Sequence, residues 1–162
     1  MTKKAKDIMS RGVVSVSPDT RLSDITRIMV EEGIHGVYVF DPTKKIAGVV
    51  DDSDIIKIFG KKLVEKTLAK EVMSKVDVKI SPETSIEDIV NIMREKKKRK
   101  LYVFYQESDL FPVGVISIRD IIREVDREKT AIEMSRFLAQ YQEFQDWLSK
   151  QEWKKSRGDK NA

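Results

Sequence analysis

The chain has 162 residues, 36% of them charged, with no cysteine and a single histidine. That length suits one compact unit with its own core, and the composition excludes a disulfide framework, a thiolate metal site, a cysteine nucleophile and a His-rich metal centre. The net charge of +4 is unevenly placed: residues 96–100 are five consecutive basic residues, and the segment from Lys150 onward holds five basic and two acidic ones. The remainder is net negative, unlike the uniformly basic surface that wraps nucleic acid. No apolar stretch reaches the roughly 18 residues a membrane-spanning helix needs, and the first ten residues lack the apolar segment of a secretory signal. A cytoplasmic location is expected.

In chain order, Val14 and Val16 alternate as in a short strand. Ser17-Pro18-Asp19-Thr20 ends it, and Thr20 is expected to cap a helix with Leu22, Ile25, Ile28 and Met29 on one face. Gly33 is the expected stop. A strand over Val37–Phe40, a turn at Asp41-Pro42, a strand over Ile46–Val50 and a helix from about 52 follow. The same order then recurs. Val76, Val78 and Ile80 alternate, and Thr84-Ser85-Ile86-Glu87 has a capping-box pattern. Ile86, Ile89, Ile92 and Met93 form a helical stripe; strands are predicted over Leu101–Tyr105 and Val113–Ile116, and a helix from about 118. Lys97 stands where Gly33 stops the first helix, so the second helix end is less defined.

The recurrence is an internal repeat. Shifted by 64 positions, Lys6–Ser10 falls on Lys70–Ser74, Ser17–Thr20 on Ser81–Thr84, and Tyr38-Val39-Phe40 on Tyr102-Val103-Phe104. The shift becomes 66 after the turn at Tyr105–Val113, and Gly48–Ile56 then matches Gly114–Ile122. Each copy reads β-α-β-β-α, and two copies packed together would share a core.

These blocks resemble a tandem pair of CBS domains, over roughly residues 5–125. The carrying segments are KDIMS and KEVMS, VSVSPDTRLSDI and VKISPETSIEDI, and GVVDDSDI and GVISIRDI. The implied fold is mixed α/β (α+β), with two repeats related by a pseudo-two-fold axis and a C-terminal amphipathic helix. The expected divisions are 1–60, 61–125 and a helical extension, 126–162, with a frayed end. The resemblance implies a regulatory module, not an enzyme, that binds AMP, ADP, ATP, S-adenosylmethionine or a related adenosyl compound between the repeats and dimerises. No catalytic residue, metal or obligatory cofactor is expected.

The resemblance also nominates site residues. Asp120 would accept hydrogen bonds from ribose hydroxyls, and Ser117 would face sugar or phosphate, although Ser-x-x-Asp at a helix start is also a plain capping pattern. Ser10, Arg11 and Val13 of the first opening would join them, with Ile34, His35 and Gly36 lining the adenine. The second cleft would use Asp54, Asp51 and Ser74, with Arg99 and Lys100 facing phosphates. Asp51 replaces a hydroxyl with a charge that opposes phosphate, so the cleft with Ser117 and Asp120 is expected to bind nucleotide more tightly. Lys96 and Lys97 are read as solvent-facing.

In the tail, Met134, Phe137, Tyr141, Phe144 and Leu148 form a heptad seam flanked by Leu138 and Trp147. It suits a homodimer contact, packing on its own module, or docking to an unidentified regulated protein. A ligand-free interaction module acting through this helix is the competing reading, and a nucleic-acid accessory role is the weaker one. No P-loop or nucleophile motif is present.

Overall fold

The computed structural model describes residues 3–61 and 63–158, the side chains of 137, 141, 144, 145 and 147–158 excepted. Two units make up the chain, Met1–Ile121 and Ile122–Ala162.

The first unit holds two sheets. In the first, β2 (Ser15–Val16) lies parallel to β3 (Gly36–Asp41), which pairs antiparallel with β4 (Ile46–Asp51). The second has the order β1-β7-β6-β5: β5 (Lys79–Ile80) is parallel to β6 (Lys100–Val103), and β6 is antiparallel to β7 (Gly114–Ser117). Its fourth strand, β1 (Ser10–Arg11), comes from the other repeat. Helices α2 (Leu22–Glu32) and α5 (Ile86–Glu95) follow the short strands, while α3 (Asp52–Ile58) and α6 (Ile118–Gly158) leave the ends of β4 and β7. The short helices α1 (Ala5–Ile8) and α4 (Ala69–Val72), to which the sequence pattern assigns no element, open the two repeats.

These openings are exchanged. Ala5 is fully buried in the cluster of Ile80, Ile89, Leu101, Val103 and Ile116, with Ile8 and Met9 packed on it. Reciprocally, Ala69 sits among Leu22, Ile25, Val37, Val39 and Val50, with Val72 and Met73 against them. The exchange is pinned outside by equivalent ion pairs, Lys6–Glu83 and Lys70–Asp19, each 2.6 Å. A third cluster, Tyr38, Tyr102 and Phe104, joins the repeats, with the two tyrosine rings 5.3 Å apart edge to face. Each repeat thus completes its core with a segment of the other, and neither half buries its apolar surface alone.

Gly48 and Gly114 make the exchange possible. A Cβ on Gly114 would stand 2.7 Å from Met9 Sδ and 2.8 Å from the Ser10 carbonyl oxygen. On Gly48 it would stand 2.9 Å from the Ser74 carbonyl oxygen and 3.1 Å from Met73 Sδ. A side chain at either place would hold the incoming opening off the strand.

Helix ends depart from expectation in two places. The cap of α5 is Ser85 rather than Thr84: its oxygen accepts from the Asp88 N–H at 3.1 Å, while Thr84 accepts from the Ser81 N–H and closes the preceding turn. In the first repeat Arg21 takes the cap position instead of Thr20 without a side-chain bond, and the Leu22 N–H donates to the Thr67 carbonyl at 2.9 Å. The opening segment of the other repeat supplies what a capping side chain would have supplied. At the far end of α5, Lys97 adopts φ 53°, like Gly33 at φ 63°, and Lys98 N–H reaches the Met93 carbonyl at 2.9 Å. The second helix therefore stops as sharply as the first, in a backbone region that costs a lysine more than a glycine.

The longer turn of the second repeat folds back on the first. Lys79 Nζ donates to the carbonyls of Glu107 and Asp109 at 2.6 and 2.7 Å and lies over the Phe104 ring. Tyr38 donates its hydroxyl to the Leu110 carbonyl at 2.7 Å, and Phe111 packs on Tyr38 and Phe40.

In the second unit α6 is one helix to Gly158. Met134 and Leu138 of the expected seam are exposed, at 55% and 56%. The side chains of Phe137, Tyr141, Phe144, Trp147 and Leu148 lie outside the described residues, as does the end of the chain from 159.

Candidate functional site

The second strand of each hairpin ends where a helix begins, and each such junction lies beside the exchanged opening of the other repeat. At the first, β4 delivers Asp51 as the cap of α3. Its carboxylate accepts from the Ser53 N–H at 2.9 Å, the Asp54 N–H at 3.2 Å and the Ser53 hydroxyl at 2.6 Å. Asp54 accepts from the Asp51 N–H at 3.0 Å, which completes a capping box. At the second junction Asp120 Oδ2 accepts from the Ser117 N–H at 2.8 Å and the Ser117 hydroxyl at 2.7 Å. Both junctions present a carboxylate braced by backbone at a helix start.

Their electrostatics differ. Residues 51–54 are Asp-Asp-Ser-Asp, whereas 117–120 are Ser-Ile-Arg-Asp. Burial alone would raise the Asp51 carboxyl, but the bonds from Ser53 and Asp54 and the Lys100 charge outweigh it and hold the group below the usual carboxylate range. Asp54, 7% exposed, is pushed up, first by burial and further by the Asp51 charge, against the Asp51 N–H and the Lys57 ammonium 3.7 Å away. Burial lowers Lys100, and the charges of Asp51 and Asp52 work against that shift.

The exchange brings Ser10 and Arg11 onto β7, opposite Val115 and Gly114, at the junction that ends in Ser117. Val13 packs on the shared cluster around Tyr38 and Tyr102. Ser74 bonds Val49 through both backbone groups at 2.9 Å, two residues before Asp51. Ser10 and Arg11 thus lie along the strand that ends in Ser117, Ser74 along the strand that ends in Asp51, and Val13 on the cluster between the repeats.

Ile34, His35 and Gly36 group differently. Ile34 packs on the first repeat's core. The exposed His35 ring approaches Asp52 at 3.5 Å, and its carbonyl accepts from the Asp52 N–H. Gly36 lies opposite Asp51 in the β3–β4 ladder. His35 and Gly36 lie beside the first repeat's own helix start, because β3 and β4 are neighbours in one hairpin, whereas the resemblance groups them with Ser117 and Asp120.

In the basic run, Lys98 pairs with Asp77 at 2.9 Å. Lys96, Lys97 and Arg99 are exposed, and the Arg99 carbonyl accepts from the Ile118 N–H. Lys100 starts opposite Ser117, yet its ammonium crosses to the first repeat, 2.7 Å from where a Cβ on Gly36 would stand. The crossing, the Tyr38–Tyr102 contact and the seating of Met9 and Met73 on glycines were missed from sequence. For the tyrosines and methionines the available signal was their recurrence 64 positions apart; Lys100 has no counterpart, since Gly36 holds its place.

The CBS domain model matches residues 5–61 and 69–127. The chain belongs to the CBS domain family. Among relatives, it is 29% identical to an uncharacterized protein of Methanocaldococcus jannaschii, over 87% of this chain and 51% of that one. It is 28% identical to the inosine-5'-monophosphate dehydrogenase of the same organism, over 75% of this chain and 23% of the enzyme. The chain thus spans about half of one relative and a quarter of the other. Among solved structures, the CBS domain pair of protein MJ0100, in complex with 5-methylthioadenosine and S-adenosyl-L-methionine, matches with a TM-score of 0.68 at 17% identity, covering 79% of this chain and 99% of that one. CBSX2 in complex with AMP matches with a TM-score of 0.64 at 23% identity, covering 78% and 98%. Both are likenesses of fold. Among the described residues, no helix of this CBS pair is long and apolar enough to cross a membrane, and no group of His, Cys, Asp or Glu is placed to hold a metal ion.

Proposed function

We propose that this CBS pair is a cytoplasmic regulatory module, not an enzyme, that senses an adenine nucleotide or related adenosyl compound at the two strand-to-helix junctions and passes its occupancy to a regulated protein. The observation that carries the reading is the second junction. Asp120 is a carboxylate braced through one oxygen by the Ser117 N–H and hydroxyl, at a helix start, beside the exchanged Ser10 and Arg11. A carboxylate accepts from a cis-diol, a helix start favours an anion, and the opening of the other repeat closes the wall. Asp54 offers a second carboxylate at the first junction, with Asp51, Ser74 and Lys100 around it. Ligands named for the two structural neighbours are adenosyl compounds, which agrees with this chemistry.

Homodimerisation is part of the proposal. Ile56 and Phe59 of α3 are exposed at 73% and 74%; Ile122 and Val125, which take the equivalent places in the second repeat, are each exposed at 62%. The experiment is a thermal-shift series with AMP, ADP, ATP and S-adenosylmethionine, alongside mass spectrometry of small molecules carried through purification. At a ligand concentration a hundredfold above its dissociation constant, about 2.7 kcal/mol of stabilisation is expected. No shift with any of the four, and no copurifying adenosyl compound, overturns the reading in favour of an interaction module.

A further inference from the structure

Two residues of opposite expected effect, a charge opposing phosphate and a charge attracting it, come near each other in the structure. Gly36 and Lys100 are the same position of the two repeats. Gly36 faces Asp51 in the β3–β4 ladder, and Lys100 faces Ser117 in the β6–β7 ladder. The Lys100 side chain leaves its own junction and places Nζ 2.7 Å from the Cβ position of Gly36, a point that is also 3.1 Å from Asp51 Cβ. The notch left by the glycine lets the ammonium of one repeat come within reach of the charge on the other repeat's Asp51.

We infer that Asp51 and Lys100 form an inter-repeat charge pair that selects ligands at the first junction by charge, admitting an adenosyl group with a neutral 5′ substituent in preference to a phosphate. With no ligand, the charge of Asp51, ahead of that of Asp52, already favours the Lys100 ammonium. A phosphate entering beside Asp54 must displace Asp51 from that role and tolerate its charge, whereas a neutral 5′ group leaves the pair intact. The second junction carries no such obstacle, since Ser117 stands in place of Asp51. The inference rests on the adenosyl reading of the site.

The groups facing Lys100 are Asp51 and Asp52 at the first junction and the Tyr102 ring on its own strand, 5.9 Å from Nζ. The test uses the full chain carrying Asp120→Ala, so that the binding read by calorimetry is that of the first junction, with AMP and adenosine as probes. Asparagine caps a helix as well as aspartate, so Asp51→Asn removes the charge and keeps α3. It is expected to raise AMP affinity by about tenfold, the scale of one partly screened charge interaction, with adenosine unchanged; adding Lys100→Met should cancel the gain. An equal change for both probes, or no change for AMP, overturns the inference. A second readout needs no ligand: in the otherwise unaltered chain, the Lys100 side-chain resonance should titrate at lower pH in Asp51→Asn. A Lys100 titration indifferent to Asp51 overturns the pair alone. Absence of binding by either probe in the unaltered chain overturns the adenosyl reading, and the selection with it.

Discussion

Lys100 places its ammonium on the open face of Gly36, the residue that holds Lys100's own position in the first repeat. Perfect repeat symmetry is therefore impossible here: two lysines, or any side chain at 36, would contend for one space. A Cβ on Gly36 would stand 2.7 Å from Lys100 Nζ but also 2.9 Å from the Val50 carbonyl oxygen. The ammonium can retreat; a carbonyl held in a sheet cannot. Gly36→Ala should cost about 1–3 kcal/mol in urea denaturation, as overpacking does. Adding Lys100→Ala should recover only part of that loss, and full recovery would assign the whole conflict to the lysine.

Gly114 is predicted to control the seating of the first repeat's opening. In Gly114→Ala the new methyl meets Met9 Sδ at 2.7 Å and the Ser10 carbonyl at 2.8 Å. Amide hydrogen exchange should accelerate over residues 5–11 well before the cores of α2 and α5 respond. Exchange that rises uniformly along the chain would instead signal global loss of stability.

Lys97 pays a conformational penalty that Gly33 avoids, since both take a left-handed backbone, at φ 53° and 63°. Lys97→Gly should stabilise the protein by about 0.5–1 kcal/mol, the relief of the left-handed strain less the entropy a glycine loses on folding. Gly33→Ala should act in the opposite direction. Midpoints of chemical denaturation measure both.

Glu83 sets part of the acid sensitivity. Hydrogen bonds from Lys4 and then Lys6 hold its carboxyl at about 2, against about 4.3 for an unfolded chain. A carboxyl depressed by folding stabilises above its unfolded value, and that contribution is lost as pH falls towards the folded one. Asp19, lowered by the hydrogen bond from Lys70, acts in the same sense. The urea midpoint should fall between about pH 5 and 2, and Glu83→Gln should flatten that slope. An unchanged slope in the variant would remove Glu83 from the account.

The two junctions should differ in nucleotide binding. Asp120→Ala is expected to abolish most AMP binding, whereas Asp54→Ala should cost little if, as proposed, the Asp51 charge opposes phosphate at the first junction. Calorimetry on the two variants decides, and greater damage from Asp54→Ala would reverse the assignment.

Legible along the chain were the repeat, its β-α-β-β-α order and the carboxylate, Asp54 or Asp120, that closes each copy. Those properties are local: alternation of Val and Ile, stripes such as Ile86, Ile89 and Met93, and Asp at a helix start are written in short stretches of chain. The equivalence of Lys6–Ser10 and Lys70–Ser74 was equally legible. What each opening packs against was not legible from local pattern, because Ala5 and Ala69 carry little apolar signal and acquire meaning only inside the other repeat's core. The same holds for Lys100. Read along the chain, it ends a basic run; in space its long side chain spans the boundary between repeats, and its surroundings are set by a glycine 64 positions away. Which charges come near one another follows from side-chain reach and the exchange of segments, which act between the repeats and leave no local pattern in the sequence.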